Sequence, residues 1–573
     1  MLQRLRGLFP FTITAFLLII LSASALRAEV LQSAEEKELQ AFAREYTVKM
    51  APLEREANLA EWNAYLTGTK KDYEKMAELS LKRDLLNSSR RDYRKLIRLR
   101  DSGKINDPLL ARELTLLINE FGPKQIEPGL LKKINDKEAE AQRVFNTYRG
   151  IIKGKAVSER DIYDILRTSN DRALRKQAWE AQKGVGPKVA PLLIDLVKLR
   201  NKAAHSLGFA NYYVMKISFN DQSVDELAGI FNKLYETTEK PFTHYKGKMD
   251  EVLAARFGVK QQELRPWDYP NPFFQDSSGT FAKNLDRFFK GKNLPVIATA
   301  FYRSAGLPLG DILSRSDLYE KPGKSQHAFC YSIDRGLDIR ILLNMRPDEE
   351  SCGTLLHELG HGVYDLYTRK DMPWLIREPS HTFTTEASAM MFERLTKNPS
   401  WLVKMLKAPA SEVEALKEGL AMDLALNQLV FCRWTEVMFN FEQELYRDPG
   451  QDLNKLWWDT VEKYQHLVRP EGRTAPDWAS KVHFASAPVY YHNYMLGELM
   501  ASQMMHAIGT GVLKRKDWSS MDFVDIPEAG VWLRENIYGP GSHYRWNDLL
   551  IRATGETLNP QYFAEQFITE STQ

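Results

Sequence analysis

The chain has 573 residues, of which 43% are hydrophobic and 27% are charged, a composition typical of globular proteins and not of disordered or fibrous ones. The formal net charge is +3, and arginines at positions 4, 6 and 27 supply three of the cations. The remainder of the chain is close to neutral, so bulk charge predicts no nucleic-acid partner.

The N-terminus has the pattern of a targeting segment. A basic start precedes an apolar run from Ile13 to Leu21, and small residues at 23–25 follow with signal-peptidase spacing. We predict that residues 1–25 are a signal peptide, with Ala28 as the alternative cleavage point. The protein would then be exported, to the periplasm or the medium, without a stable membrane span. An uncleaved anchor is the alternative, but the apolar run is shorter than the roughly 20 residues of a span.

From Ser33 onward the chain is predicted to be helical almost throughout. A capping box at Ser33 and Glu36 begins the pattern, and long charged amphipathic segments continue it. The basic cluster in 90–100 is interleaved with apolar residues at helical spacing, so we interpret it as a solvated helix face; the alternative is an anion-binding patch. RPWDYPNP at 265–272 is predicted to be a loop. No repeat or long linker appears, which predicts one helical domain over 26–573.

A short β-hairpin is predicted at 326–344, where apolar residues alternate around an Asp-Arg-Gly turn. Pro347 and three acidic residues after it then predict the start of a helix. The sequence also has three cysteines, Cys330, Cys352 and Cys432, without CxxC spacing, which argues against a thiolate metal site. A single bridge between Cys330 and Cys352 is left open.

The helix after the hairpin carries LLHELGHGVYDLY at 355–367. Residues four apart share one helix face, so His357 and His361 can reach one ion, and two imidazoles suit zinc. Glu358, directly after the first histidine, is placed to act as general base on a zinc-bound water. The alternative is an ordinary helix with two incidental histidines, and the glutamate at this offset argues against it.

A catalytic zinc usually has a third protein ligand. A metzincin arrangement is excluded because tyrosines stand at 364 and 367. We favour Glu386, in the first turns of a helix predicted to be capped by Thr384 or Thr385. The competing candidates are Glu378, His381 and Glu393, of which we interpret Glu393 as a solvated partner of Arg394 or Lys397.

A second polar cluster lies in SKVHFASAPVYYHNYMLGEL at 480–499. Hydrolysis of an amide needs donors for the oxyanion that forms as water attacks. The alternative interpretation of this segment is that its aromatic residues only fill the hydrophobic core. The HELGH motif elsewhere in the chain argues for the catalytic interpretation. The candidate donors are Lys481, His483, Tyr490, Tyr491, His492 and Tyr494.

These motifs resemble the gluzincin peptidases of the angiotensin-converting-enzyme family and, more distantly, the thimet-oligopeptidase family. The resemblance is close over 325–395 and 480–500 and loose over most of the mature chain. It implies that His357, His361 and Glu386 are zinc ligands and that Glu358 is the base. HELGH, RKDMP and TTEA are the matching segments.

The resemblance also implies roles for residues outside the metal motif. His327 and Ala328 match a substrate-binding pair on an edge strand, thirty residues before the first zinc histidine. Lys481 and Tyr491 would bind the substrate's C-terminal carboxylate, and His483 and Tyr494 would be transition-state donors.

This chain departs from the family pattern at three points. The spacing from His361 to Glu386 is 25, one longer than in animal members and equal to the thimet group. Met390 stands where the family has an aspartate that orients a zinc histidine. The tyrosine pair is one residue further from His483, which leaves Tyr490 or Tyr491 open for the first position.

The sequence therefore predicts a mainly α zinc peptidase with one zinc ion, two helical halves around a deep cleft and a hairpin beside the HExxH helix. Oligopeptides would be its substrates, and release of C-terminal dipeptides its reaction. An oligoendopeptidase is the alternative of the same class, and a catalytically silent peptide-binding protein is the alternative of another class.

Overall fold

A computed structural model of the chain describes residues 32–277, 279–282, 285–325 and 327–568. The predicted signal peptide lies outside these residues. Helices dominate the described chain, as predicted, and they alternate with two short antiparallel hairpins. The elements in chain order are α1 Ala34–Thr67, α2 Lys70–Asn87, α3 Arg90–Asp101, α4 Pro108–Phe121, α5 Pro128–Thr147, β1 Gly150–Ile152, β2 Lys155–Val157, α6 Glu159–Thr168, α7 Arg172–Lys183, α8 Gly186–Ser206, α9 Tyr212–Phe219, α10 Val224–Phe257, α11 Asp286–Phe289, α12 Leu294–Ser304, α13 Ile312–Arg315, β3 Phe329–Ser332, β4 Ile339–Leu342, α14 Glu349–Tyr367, α15 Thr382–Glu393, α16 Pro399–Leu406, α17 Ala410–Arg447, α18 Leu453–Gln465, α19 His483–Ser486, α20 His492–His506, α21 Pro527–Leu533, α22 Trp546–Thr554 and α23 Gln561–Phe567.

The first helix begins as its sequence predicts. The Ser33 hydroxyl accepts the backbone N–H of Glu36 at 2.9 Å, and the Glu36 carboxylate accepts the Ser33 N–H at 2.9 Å. The predicted basic cluster forms α3, whose buried face consists of Leu96 and Leu99. Its arginines are mostly exposed, as expected of a solvated helix face.

The N-terminal helices have a hydrophobic core of their own. Buried side chains of α1, α3 and α4 pack together with Leu375, and we call α1–α4 the N-terminal unit. A much larger continuous core extends from Ala141 to Phe567 and contains the helices that carry the HELGH motif. Among the described residues, no helix is both long enough and apolar enough to cross a membrane.

The hairpin beside the HELGH helix is present as predicted. Strands β3 and β4 pair antiparallel, with Cys330 opposite Ile341, and the turn between them contains Arg335 at φ 36° and Gly336 at φ 82°. The hairpin packs on α14 where a glycine leaves room. A Cβ at Gly362 would lie 3.1 Å from the Ile312 side chain and within 4 Å of Cys330.

The two helices of the predicted metal site start at different kinds of cap. Asp348 caps α14 and accepts the N–H of Ser351 at 2.8 Å, which agrees with the predicted acidic start. Helix α15 starts earlier than predicted: His381 is its N-cap, and neither Thr384 nor Thr385 is. The His381 ring can replace a threonine because its Nδ1 accepts the N–H of Phe383 at 3.3 Å. All three cysteines are free, so Cys330 and Cys352 form no bridge.

Candidate metal and peptidase site

His357, His361 and Glu386 come together at the crossing of α14 and α15. Their ligating atoms form a small triangle. The two Nε2 atoms are 3.2 Å apart, and Glu386 Oε2 lies 3.6 Å from His357 Nε2 and 3.7 Å from His361 Nε2. Bonds of 2.0–2.2 Å around a tetrahedral zinc place its ligand atoms about 3.3 Å apart, so the triangle has suitable dimensions for zinc.

Hydrogen bonds on the far side of each ring orient the two histidines. His357 Nδ1 lies 2.7 Å from Glu393 Oε2, and His361 Nδ1 lies 2.8 Å from Thr385 Oγ1. A ring that donates its Nδ1 proton presents a lone pair at Nε2. This is the arrangement that second-sphere partners impose on metal-binding histidines.

The charge at this crossing also favours a bound cation. Glu386 Oε2 is buried and has no hydrogen-bond partner among the described residues. Burial alone would lower the pKa of His357, but the carboxylates of Glu393, Glu358 and Glu386 outweigh it and raise that pKa to about 10. A divalent cation between the three ligand atoms would satisfy the orphaned oxygen and offset the excess negative charge.

Glu358 directly follows His357 on α14 and lies beside the backbone of Cys330 in β3. It is 6% exposed, and burial raises the pKa of its carboxyl to about 7. His357 and the backbone N–H of Cys330 oppose that shift. A carboxylate whose pKa lies near the working pH can take a proton from water and return it.

Tyrosines from a second segment lie beside the three candidate ligands. The Tyr490 hydroxyl donates to Glu386 Oε1 at 2.8 Å, which leaves Oε2 for the centre of the triangle. The ring centroids of Tyr494 and Tyr490 are 5.1 Å apart. Burial raises the pKa of Tyr494 well above its usual value, and the charges of Glu386 and Glu358 raise it further. Both phenols are therefore neutral donors at physiological pH.

Lys481 and Tyr491 lie together, and both contact Gln275. Lys481 Nζ donates to Gln275 Oε1 at 2.8 Å, and the Tyr491 hydroxyl lies 3.4 Å from the same oxygen. Trp434 Nε1 donates to the Tyr491 hydroxyl at 2.7 Å and fixes it. Burial lowers the pKa of Lys481 to about 8, although Glu159 opposes this.

His483 lies beside Tyr491, with ring centroids 4.9 Å apart, and close enough to His327 for their charges to interact. Ala328 immediately precedes β3, and His327 is exposed. Burial lowers the pKa of His483 well below its usual value, and the charges of Lys481 and His327 lower it further. His483 is therefore neutral, and its buried Nδ1 has no partner among the described residues.

The other candidates for the third ligand have different environments. Glu378 pairs with Arg335 at 3.2 Å, and His381 caps α15, so neither points to the two histidines. Glu393 is solvent-exposed, as we interpreted it, but its carboxylate also accepts from His357, a contact that the sequence did not predict. It stands seven residues after Glu386, one helical turn beyond Met390, and so supplies a carboxylate that the sequence comparison did not find.

Sequence reasoning also missed Gln275 and Thr385. Thr385 directly precedes Glu386, and a hydroxyl there carries no distinctive pattern. Gln275 lies in the loop after RPWDYPNP, far along the chain from Lys481. Its position is fixed by Gln465, whose amide donates to the carbonyls of Phe273 and Phe274 at 3.0 and 2.7 Å. Only the tertiary structure brings this loop to the site.

Comparisons with known proteins match two peptidase families. The model of the angiotensin-converting-enzyme family matches residues 33–264, and the model of peptidase family M3 matches residues 313–568. The chain is similar to both families. The M3 match includes every candidate metal ligand, whereas the other match covers the helices before them.

Comparisons with individual proteins also find angiotensin-converting enzymes, at low identity. Angiotensin-converting enzyme of Mesocricetus auratus is 23% identical over 501 residues, which are 80% of this chain and 37% of that protein. The enzyme of Oryctolagus cuniculus is 22% identical over 485 residues, 78% of this chain and 36% of that protein. An inactive angiotensin-converting enzyme-related protein of Caenorhabditis elegans is 22% identical over 380 residues, 58% of this chain and 41% of that protein. The chain thus spans well under half the length of these relatives.

Proposed function

We propose that the protein is a zinc peptidase that releases dipeptides from the C-termini of oligopeptides. The observation that carries the proposal is the orphaned Oε2 of Glu386, which lies between two histidine Nε2 atoms whose Nδ1 atoms are already engaged. His357, His361 and Glu386 would hold one zinc ion. When bound, zinc lowers the pKa of a coordinated water to about 7 and polarises a carbonyl.

The chain's own residues supply the remaining chemistry. Glu358 takes the proton of the attacking water and passes it to the leaving amine, a role that its pKa near 7 suits. Tyr494 and the neutral His483 are the candidate donors to the oxyanion. His327 and Ala328, at the start of β3, would bind the substrate backbone.

The preference for chain ends rests on Lys481, Gln275 and Tyr491. An ammonium in a buried aromatic setting pairs strongly with a carboxylate, and an internal peptide bond offers none. Lys481 Nζ lies 5.0 to 5.3 Å from the ring centroids of Phe273, Trp434 and Tyr491. Binding energy is then gained only when the substrate ends at this point.

The test compares one decapeptide as free acid and as C-terminal amide, with products identified by mass spectrometry. We expect successive loss of dipeptides from the acid, persisting at high salt, and little cleavage of the amide. K481M should remove the difference, whereas K246M, which removes a similarly buried lysine that pairs with Asp250, should retain it. Equal internal cleavage of acid and amide would support the oligoendopeptidase alternative.

A second experiment addresses the silent peptide-binding alternative, which the inactive relative makes worth testing. E358Q leaves the three candidate ligands in place but removes the base. We expect it to bind zinc like the wild type and to lose at least about 100-fold in kcat. Elemental analysis and turnover measure the two properties separately. Wild-type protein that binds zinc and peptide without any turnover would favour the silent alternative.

A further inference from the structure

The turn between α19 and α20 contains a backbone conformation that its residue disfavours. Val489 has φ 57°, in the left-handed region, where a β-branched side chain crowds the backbone. The side chain is buried in the main core. Such conformations persist only where the surroundings impose them, and they cluster at functional sites. Val489 is followed directly by Tyr490 and Tyr491.

A buried carboxylate holds this conformation in place. Glu442 Oε1, on α17, accepts the backbone N–H of Val489 at 2.8 Å. Glu442 is 4% exposed and forms no ion pair with another described residue. Burial raises its pKa to about 7, although the Val489 N–H and the charge of Arg200 oppose the shift. Burying a carboxyl group without an ion pair costs free energy of folding. The hydrogen bond from the Val489 N–H offsets part of that cost.

The other end of the same segment is fixed by Arg200. Its guanidinium is completely buried and donates to the carbonyls of Phe484 and Ala485 at 2.8 and 2.9 Å. The Tyr446 hydroxyl, one turn after Glu442 on α17, accepts from the same guanidinium at 3.0 Å. The chain that carries His483 and the tyrosines is therefore held from behind at both ends by groups that contact none of the candidate metal ligands.

We propose that Glu442 is a positioning residue for the peptidase reaction, acting through the Val489 N–H to direct Tyr490 and Tyr491 to two different tasks. The inference rests on the proposed function. Tyr490 reaches the ligand Glu386, and Tyr491 reaches Gln275 beside Lys481. Because the two tyrosines are consecutive, rotation of the Val489 backbone to a negative φ would displace both hydroxyls together.

The substitution E442A removes the acceptor and should let Val489 relax. We expect kcat to fall about 10- to 100-fold, as for a small displacement of catalytic groups, with a higher KM for free-acid peptides. E442Q keeps an oxygen that can accept the N–H and should retain most of the activity. In the double variant V489G/E442A, glycine adopts positive φ without steric cost, so part of kcat should return.

The control for simple destabilisation is E436A on the same helix. Glu436 is 1% exposed and pairs with Arg433 at 2.6 Å, and it contacts none of the segment 483–494. This variant should lower thermal stability without changing kcat or KM of the folded protein. Zinc affinity, measured by chelator competition, should decrease in E442A and not in E436A, because only E442A disturbs the bond between Tyr490 and Glu386.

The zinc measurement separates failure of this inference from failure of the proposed function. If the wild type cleaves no peptide, the function is wrong, while a selective loss of zinc affinity in E442A would still support positioning. The inference is overturned if E442A and E436A are destabilised alike and both keep wild-type kcat, KM and zinc affinity. It is also overturned if E442A loses activity and V489G/E442A recovers none.

Discussion

His357 is held between two carboxylates that act on opposite sides of its ring. Glu386 faces Nε2, whereas Glu393 accepts from Nδ1 at 2.7 Å, a length typical of a charge-assisted hydrogen bond. The negative charge behind the ring makes Nε2 a stronger donor to a metal ion. Since α15 supplies both glutamates, the position of this one helix determines where the candidate ligand Glu386 stands and where Glu393 supports the candidate ligand His357.

The first prediction tests Glu393. E393A should weaken zinc binding by about 10- to 100-fold, the usual effect of losing an outer-sphere partner, and E393Q should have an intermediate effect because it keeps an acceptor without the charge. Chelator competition followed by metal analysis gives the constants. E378Q is the control, because Glu378 is a neighbouring carboxyl that contacts neither histidine. Equal affinities for E393A and E378Q would contradict the assignment.

A second prediction at this scale follows from the pKa of Lys481, about 8. A substrate carboxylate binds the protonated form, so Lys481 must take up a proton before binding once the pH exceeds that value. KM for free-acid peptides should therefore rise by about tenfold per pH unit above pH 8, while KM for amides should not. K481R keeps its charge at these pH values and should remove the dependence. A flat KM profile to pH 10 in the wild type would show that Lys481 does not bind the carboxylate.

At the scale of whole elements, close helix crossings determine where the candidate metal ligands stand. Gly360 of α14 faces the backbone of α15, and a Cβ there would lie 2.5 Å from the Cα of Ala389. Gly497 of α20 faces the candidate ligand Glu386, and a Cβ at Gly497 would lie 2.8 Å from the Cβ of Glu386. The three helices approach one another closely because these positions carry no side chain.

The third prediction uses the second of these contacts. G497A should displace α15 locally, cost about 1–3 kcal/mol through overpacking and lower zinc affinity. G247A is the matched control in α10, because a Cβ at Gly247 would meet nothing within 4 Å. It should stabilise the protein by about 0.5–1 kcal/mol through helix propensity and leave zinc binding unchanged. Thermal unfolding of both variants measures the change in stability, and zinc titration measures the change in affinity. Equal zinc affinities for G497A and G247A would contradict the prediction.

Interactions within one helix or hairpin could be predicted from the sequence, whereas most interactions between elements could not. The i, i+4 histidines of α14 and the hairpin before them follow from local periodicity and turn residues. The third ligand could be ranked because a helix start precedes it. In contrast, Gln275 reaches Lys481 from a distant loop, and the bond from His357 to Glu393 depends on how two helices cross. No local pattern carries that information.

At the scale of the whole molecule, the β3–β4 hairpin joins the N-terminal unit to the metal site. On one side it packs on α14, and on the other the Asn58 amide of α1 donates to the carbonyl of Ile333 at 3.2 Å. Its turn contributes Arg335, which binds both carboxylate oxygens of Glu54 at 2.7 and 2.9 Å and lies 3.4 Å over the ring of Trp374. The candidate substrate-binding residues His327 and Ala328 lie immediately before this hairpin.

The fourth prediction concerns this connection. In R335M the partly buried Glu54 carboxylate loses its partner, and so does the more exposed Glu378 carboxylate. Such a loss costs about 3–5 kcal/mol in buried pairs and somewhat less here. Amide hydrogen exchange should accelerate in α1–α4 and in β3, and remain unchanged in the long core helix α17. KM should rise more than kcat falls, because β3 would bind substrate and the metal ligands lie on other elements.

Arg315 provides the control for this experiment. It pairs with Asp311 and Asp338 on the body side of the hairpin and forms no ion pair with the N-terminal unit. R315M should therefore leave exchange in α1–α4 as it is in the wild type. If amide exchange accelerated uniformly throughout R335M, the substitution would have destabilised the whole protein. If R335M and R315M showed identical exchange, Arg335 would not couple the N-terminal unit to the candidate site. Only a local response that includes β3, together with the change in KM, fits a hairpin that transmits the position of the N-terminal unit to bound substrate.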